Sequence, residues 1–310
     1  TYTVKSRLVE QLRNSTMNKL LPYLFHLLGI HCASSLVNDT NTSSNQTASA
    51  ASNEAKSTEP FDLSRWDITD YQVAGIDLSS PEIGFPLLAG HLYYTCLANV
   101  PSLVRIWWTE CKLRQLNIAV ESMTEKYFSP LLISHELASL AKAQQASAQG
   151  GQAAAAAALS GISDDLNQLQ IKASKATSEV TASFKIEDST VEIAIRLPAN
   201  FPLRQVEVEG LQRVGVDDGR WRAWLFAVAG VIAAQNGSLV DALSLFRRNV
   251  GLHFEGVEDC TICYSIVSLQ DRSLPNKTCK TCKNRFHGSC LYKWFKTSSS
   301  SSCPLCRTLW

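Results

Sequence analysis

The sequence predicts a multidomain protein with three parts in series: an all-α helical region, an α+β domain and a small zinc-bound module. Three observations carry this reading. Apolar residues recur every three or four positions up to about residue 140, they alternate strictly from Val191 onward, and seven of the ten cysteines fall between Cys260 and Cys306. At 310 residues and 45% hydrophobic, the chain is long enough for two modules by the soft prior of about 150 residues each. A net charge of +1 excludes the strongly basic balance of a nucleic-acid-wrapping protein.

The helical part covers residues 1–141. Leu8 and Leu12 lie one turn apart, and Leu20, Leu24, Leu27 and Leu28 continue the stripe, which makes an amphipathic helix of the first thirty residues. Even the run from Leu20 to Ile30 is too short for a bilayer and is broken by Pro22, His26 and Gly29, so no membrane partner is expected. The chain begins at Thr1 with no secretory leader pattern and reads as a piece of a longer protein. Residues 34–60 are rich in Ser, Thr, Asn and Ala and cannot offset their ordering entropy, so a disordered loop is expected. The sequons at Asn38, Asn41 and Asn45 lie in this tract, where composition alone produces them. From Pro86 to Leu140 the spacing of Leu87, Leu88, Leu92, Leu97, Leu103, Ile106, Trp107, Leu113, Leu116, Val120 and Met123 is helical, with Pro101 and Pro130 as helix starts. Helix pairs of this kind bury their faces by stacking, as at the end of a solenoid.

Residues 142–164 form a low-complexity linker or frayed helix, with six alanines in a row from Ala153 to Ala158. The α+β domain follows at 165–252. Val191, Ile193, Ile195 and Leu197 alternate with Glu192, Ala194 and Arg196, and Val206 and Val208 alternate with Gln205, Glu207 and Glu209, as in half-buried antiparallel strands. Val180, Ala182 and Phe184 mark another strand. A helix follows with Trp221, Trp224, Leu225, Val228 and Ile232 on one side, ended by Asn236-Gly237. Ser238 and Asp241 then make a capping-box pattern that opens a second helix through Leu245 and Phe246. Strands followed by helices define the α+β class.

The last module, 256–310, reads Cys260-x2-Cys263-x15-Cys279-x2-Cys282-x4-His287-x2-Cys290-x12-Cys303-x2-Cys306. Eight ligands in closely spaced pairs supply two closed, four-coordinate zinc sites. Disulfides are the competing account, but seven cysteines cannot all pair among themselves and a histidine stands at a ligand position. Cys32, Cys96 and Cys111 are left as free thiols of a reducing compartment. From Glu258 to Trp310 the side chains sum to +5, so the rest of the chain carries −4. With few apolar residues for its length, this module must draw most of its folding energy from two Zn²⁺ ions.

Four cysteines, one histidine and three cysteines fit both a variant RING finger and a PHD finger, so the spacing leaves both open. The neighbouring residues resemble a RING finger: Ile262 inside the first pair, Trp294 four residues after the sixth ligand, and Pro304 after the seventh. The wider pattern resembles the listerin family of ubiquitin ligases. It runs through Glu258-Asp259-Cys260-Thr261-Ile262-Cys263-Tyr264, Phe286-His287-Gly288-Ser289-Cys290-Leu291-Tyr292-Lys293-Trp294-Phe295 and Cys303-Pro304-Leu305-Cys306-Arg307. Upstream, the turn Leu197-Pro198-Ala199-Asn200-Phe201-Pro202-Leu203 and the Trp221/Trp224 helix resemble that family's RWD domain. The helices from Val104-Arg105-Ile106-Trp107-Trp108 to Tyr127-Phe128-Ser129-Pro130 are similar to the end of its HEAT-like solenoid.

The resemblance implies a first zinc ion on Cys260, Cys263, His287 and Cys290 and a second on Cys279, Cys282, Cys303 and Cys306. It implies that Ile262, Trp294, Pro304 and Leu305 receive a ubiquitin-conjugating enzyme charged with ubiquitin, and that Arg307 is the cationic linchpin, whose guanidinium donors reach both partners. The implied enzyme is a RING-type ubiquitin ligase without a covalent ubiquitin intermediate. Its RWD domain would dock on the large ribosomal subunit, in the cytosol, among other quality-control factors, so that lysines of stalled nascent chains are modified. No cysteine lies between Lys112 and Asp259, so the RWD domain has no thioester nucleophile. Arg204, Arg213, Arg247 and Arg248 are candidate contacts to rRNA phosphates, although solvated surface charge is the simpler account for any one of them. His26, His31, His91, His135 and His253 have no partner spacing. A PHD-like binding module and a scaffold without ligase activity remain the alternatives.

Overall fold

The structure, a computed structural model, describes residues 16–30, 61–69, 80–148 and 169–310. Leu8, Leu12, Cys32, the 34–60 tract with its sequons and the alanine run lie outside the described residues. The chain divides into two compact units. One comprises Thr1–Ile133 with Ala199–Arg204, the other Ser134–Pro198 with Gln205–Trp310.

The first unit is helical. Helix α1 spans Thr16–Leu27, α2 Pro81–Asn99, α3 Pro101–Glu110 and α4 Arg114–Met123. Pro101 opens α3 at its first turn, where the missing N–H has no intrahelical partner to lose. Helix α2 starts at Pro81 and carries Pro86 within it. Helix α4 passes through a π turn, Thr124–Phe128, directly into α5, Ser129–Ala148, so Pro130 sits in a first turn that has no break before it. The buried stripe of α1 is Met17, Leu21, Leu24 and Phe25, continued by Leu28 just past its end, whereas Leu27 is exposed, as are Leu92, Ile106 and Leu113.

Aromatic rings hold this core. Phe25 and Tyr93 meet edge to face at 5.0 Å, Tyr93 and Phe128 at 4.9 Å, and Phe25 lies 5.3 Å from Trp107. Thr124 donates to the Val120 carbonyl at 2.7 Å, so its oxygen accepts from the buried Tyr93 hydroxyl at 2.9 Å. The segment Ala199–Arg204 packs here through its backbone. Arg105 Nη2 donates to the Pro202 carbonyl at 2.6 Å, and Ser129 donates to the Phe201 carbonyl at 2.5 Å.

The second unit contains the α+β domain. Strands β1 (Leu169–Ser174), β2 (Glu179–Ile186), β3 (Ser189–Arg196) and β4 (Glu207–Gln212) form an antiparallel meander in chain order. The register pairs Val180 with Ile195, Ala182 with Ile193 and Phe184 with Val191, which places the alternating apolar residues on one buried face. Ala194, read as outward-facing, is also fully buried. Helices α6 (Asp218–Ala233) and α7 (Leu239–Phe254) supply Trp221, Trp224, Val228, Leu243, Phe246 and Val250 to the same core. Val231 is buried where Leu225 is only half-buried. The Trp221 indole lies against Gly210 so closely that a Cβ at that position would collide with it. The capping box is complete, with Ser238 and Asp241 each bonded to the other's backbone N–H. The N–H of Leu239 donates to Glu136 at 2.9 Å.

The cysteine-rich module completes this unit. It contributes a short hairpin, β5 (Lys277–Thr278) with β6 (Arg285–Phe286), and helix α8 (Gly288–Ser298). Its apolar core is small, made of Phe286 and Leu291 with Cys260, Cys279 and Cys303.

Candidate metal centres

Two four-residue clusters converge in the cysteine-rich module. In each, the ligand atoms lie within 4.8 Å of one another. Cys260, Cys263, His287 and Cys290 form one cluster, and Cys279, Cys282, Cys303 and Cys306 form the other. Three pairs are built alike. After Cys260-x2-Cys263, Cys279-x2-Cys282 and Cys303-x2-Cys306, the next residue turns left-handed: Tyr264 at φ 55°, Lys283 at 62° and Arg307 at 58°. Each donates its N–H to the carbonyl of the first cysteine, at 2.7, 3.1 and 3.0 Å respectively. This closed turn points both thiols the same way, which explains the two-residue spacing. The left-handed residue after each pair was not legible in the sequence, since none of the three is Gly or Asn.

The separations fit a tetrahedral ion. Thiolates about 2.3 Å from such an ion stand about 3.8 Å apart, and Cys279 Sγ lies 3.7 Å from Cys306 Sγ, as does Cys282 Sγ from Cys303 Sγ. A disulfide needs about 2.05 Å, and among the described residues every cysteine is unpaired. His287 turns Nδ1 toward Cys263 Sγ at 3.3 Å and Cys290 Sγ at 3.8 Å. Its Nε2–H donates to the Ile266 carbonyl at 3.1 Å, which leaves Nδ1 unprotonated for a metal. Burial above all pushes the Cys290 thiol up to about 12 and the Cys303 thiol up to about 11, whereas backbone amides favour the thiolate at Cys279 and Cys260. The Cys282 N–H above all, with that of Thr281, pulls the Cys279 thiol down to about 6. At Cys260 desolvation works against ionisation, but the N–H groups of His287, Cys263 and Ile262 outweigh it and the thiol is lowered.

Outside the clusters, Cys96 is pushed up to about 11 by burial and is a poor nucleophile. Cys111 is half-buried.

Two of the three pair turns carry the apolar candidates. Ile262 lies within the first turn and packs half-buried on the Phe286–Leu291 core. Pro304 and Leu305 lie within the last, and Leu305 is 50% exposed. Trp294, on α8, is 37% exposed, and its indole N–H donates to the Ser302 carbonyl at 3.0 Å. That bond ties the helix to the residue before Cys303, so Trp294 and the Pro304-Leu305 turn are held as one piece. Arg307 is exposed, and its backbone closes the third turn.

The arginine candidates are placed differently from one another. Arg204 pairs with Glu121 at 3.1 Å and Arg213 with Asp218 at 2.7 Å, Arg247 is half-buried, and Arg248 is exposed. Two histidines have structural partners. His91 Nδ1 lies 2.8 Å from the Ile68 carbonyl. His253 lies between Arg220, at 2.7 Å, and the Gly215 carbonyl, at 2.8 Å.

Comparison with known proteins selects among these readings. Residues 1–141 match the LTN1 family HEAT repeat region, 169–253 the ubiquitin conjugating domain-like family and 258–307 the Ring finger domain. The last match resolves the choice that spacing left open between RING and PHD. The chain is 40% identical over 249 residues to the E3 ubiquitin-protein ligase listerin of Schizosaccharomyces pombe, covering 80% of this chain and 14% of that protein. It is 38% identical over 246 residues to the listerin of Saccharomyces cerevisiae (78% and 15%) and 36% identical over 297 residues to that of Gallus gallus (95% and 15%). The chain belongs to the listerin family. It spans about a seventh of the length of these listerins. As in the family matches, it joins HEAT-repeat helices, a UBC-like domain and a RING finger with two four-residue Cys/His clusters fit to hold metal. Among the described residues no helix is long and apolar enough to cross a membrane.

Proposed function

We propose that this chain is a RING-type ubiquitin-protein ligase region whose two metal sites hold Zn²⁺. Cys260, Cys263, His287 and Cys290 take one ion, and Cys279, Cys282, Cys303 and Cys306 the other. Closed four-ligand sites leave no open position, so zinc supplies rigid cross-links that shape the protein surface. On that surface Ile262, Trp294, Pro304 and Leu305 bind a ubiquitin-charged conjugating enzyme, and Arg307 hydrogen-bonds the enzyme and ubiquitin together. The chain itself forms no bond to ubiquitin. A substrate lysine attacks the thioester carbonyl on the conjugating enzyme, the C–N bond forms, and the enzyme's thiol leaves. The ligase contributes proximity and orientation. The UBC-like domain holds no cysteine, which supports a docking role. It is proposed to act as an RWD module on the large ribosomal subunit in the cytosol, where it aims the RING at lysines of stalled nascent chains.

The observation that carries the ligase reading is the Trp294 indole anchored to Ser302, three residues before the exposed Leu305, on a scaffold built by the turns of the Cys/His clusters. The test is discharge of a ubiquitin-charged conjugating enzyme onto free lysine, across a panel of such enzymes. The wild-type chain is expected to accelerate discharge. Ile262→Ala and Trp294→Ala are expected to remove at least about tenfold of that rate, the equivalent of about 1.4 kcal/mol, and Arg307→Ala to reduce it, with zinc content unchanged in each. No acceleration with any enzyme of the panel would sink the reading in favour of a scaffold, and variants as fast as wild type would favour a pure binding module. Co-sedimentation with large ribosomal subunits tests the docking role separately.

A further inference from the structure

We propose that Glu187, in the UBC-like domain, is a positioning residue for the first metal site of the RING finger, acting through the Ile266–Val267 peptide. The inference rests on reading that site as one that holds metal. Glu187 stands in the two-residue connection between the paired residues Ile186 and Ser189 of β2 and β3. Its φ is 51°, a left-handed conformation that favours Gly, Asn or Asp. Local turn chemistry therefore does not select a glutamate here.

Its contacts do. The carboxylate accepts the Ile266 N–H at 3.0 Å on both oxygens and the Val267 N–H at 3.4 Å. The carbonyl of the Ile266–Val267 peptide is the acceptor for His287 Nε2–H at 3.1 Å. One peptide unit thus has its N–H on a carboxylate and its C=O on a metal ligand. A negative charge on the N–H end strengthens and aims the carbonyl, and the carbonyl fixes the ring so that Nδ1 faces Cys263 and Cys290. The partners lie 79 residues apart in sequence.

A second clamp holds the same loop in register. The Gly215 N–H donates to the Arg272 carbonyl at 2.9 Å, and the Gly215 carbonyl accepts from His253 Nε2 at 2.8 Å. Gly215 is itself left-handed, at φ 65°, and a Cβ there would stand 2.9 Å from Leu274.

The test uses the full chain loaded with cadmium-113, whose two resonances distinguish a site of three sulfurs and one nitrogen from a site of four sulfurs. In Glu187→Ala the His287-containing site is expected to change its resonance and to lose metal to a chelator about three- to tenfold faster, while the four-sulfur site keeps its wild-type rate. Glu187→Gln, which retains one acceptor oxygen, should recover most of the wild-type rate. Glu187→Gly relieves the left-handed turn yet removes the carboxylate, so it should lose metal as Glu187→Ala does. An unchanged rate at the His287-containing site, or equal acceleration at both sites, overturns the role of Glu187 and leaves metal binding standing. A wild-type chain that holds metal only at the four-sulfur site would instead overturn the reading on which the proposal rests.

Discussion

The UBC-like domain and the RING finger lie side by side in one compact unit, and they hold their shapes by different physics. The UBC-like domain buries Val180, Ile193, Ile195, Leu243, Phe246 and Val250 completely, so apolar burial stabilises it. In the RING finger the fully buried side chains are Phe286, Cys260, Cys303 and His287, and three of these four belong to the two Cys/His clusters. A module of this size with so little apolar area is expected to obtain its folding energy from coordination, as the proposed zinc sites would supply. The difference teaches that one unit can contain a part whose stability responds to packing and a part whose stability responds to metal.

Metal removal tests that contrast most strongly. Structural zinc contributes on the order of 10 kcal/mol or more per site, so chelation is expected to unfold residues 258–307 while 169–253 keeps its melting transition. Circular dichroism with limited proteolysis reads both parts at once, and a RING that stays protease-resistant after stripping would break the comparison. A core truncation should do the reverse. Phe246→Ala is expected to cost about 3–5 kcal/mol in denaturant unfolding of the UBC-like domain, with two bound metal ions still measured under native conditions; loss of metal in that variant would show that the two parts do not respond separately. The smallest effect sharpens the same point at a helix end. Ser238→Ala removes half of the capping box on α7 and should lower stability by about 1 kcal/mol, seen as a shift in the denaturant midpoint with the metal-release rate unchanged.

Legibility in the sequence follows the range of the interaction. The capping box from Ser238 to Asp241 is four residues long, and the structure contains it as read. The metal ligands were also legible, because each pair sits within one turn of backbone. Strand β1 went unread: of Leu169, Ile171 and Ala173 only Leu169 is buried, so an edge strand carries little alternation. It is held in part by Gln144 of α5, whose amide donates to the Ile171 carbonyl at 3.1 Å. The carboxylate partners of Arg204 and Arg213, the candidate phosphate contacts, were not legible in the sequence.

The sequence by itself determined which residues can bind metal, which face of each strand is apolar, and where two of the helices start. Those properties depend on residue type at fixed short spacing, which the backbone geometry of a turn, strand or helix converts directly into position. Only the tertiary structure decided that Trp294 is tied to Ser302 and that Glu187 reaches the peptide holding His287. These contacts join segments whose separation along the chain has no period to read, and they come together only once burial in one part and coordination in the other have fixed the backbone.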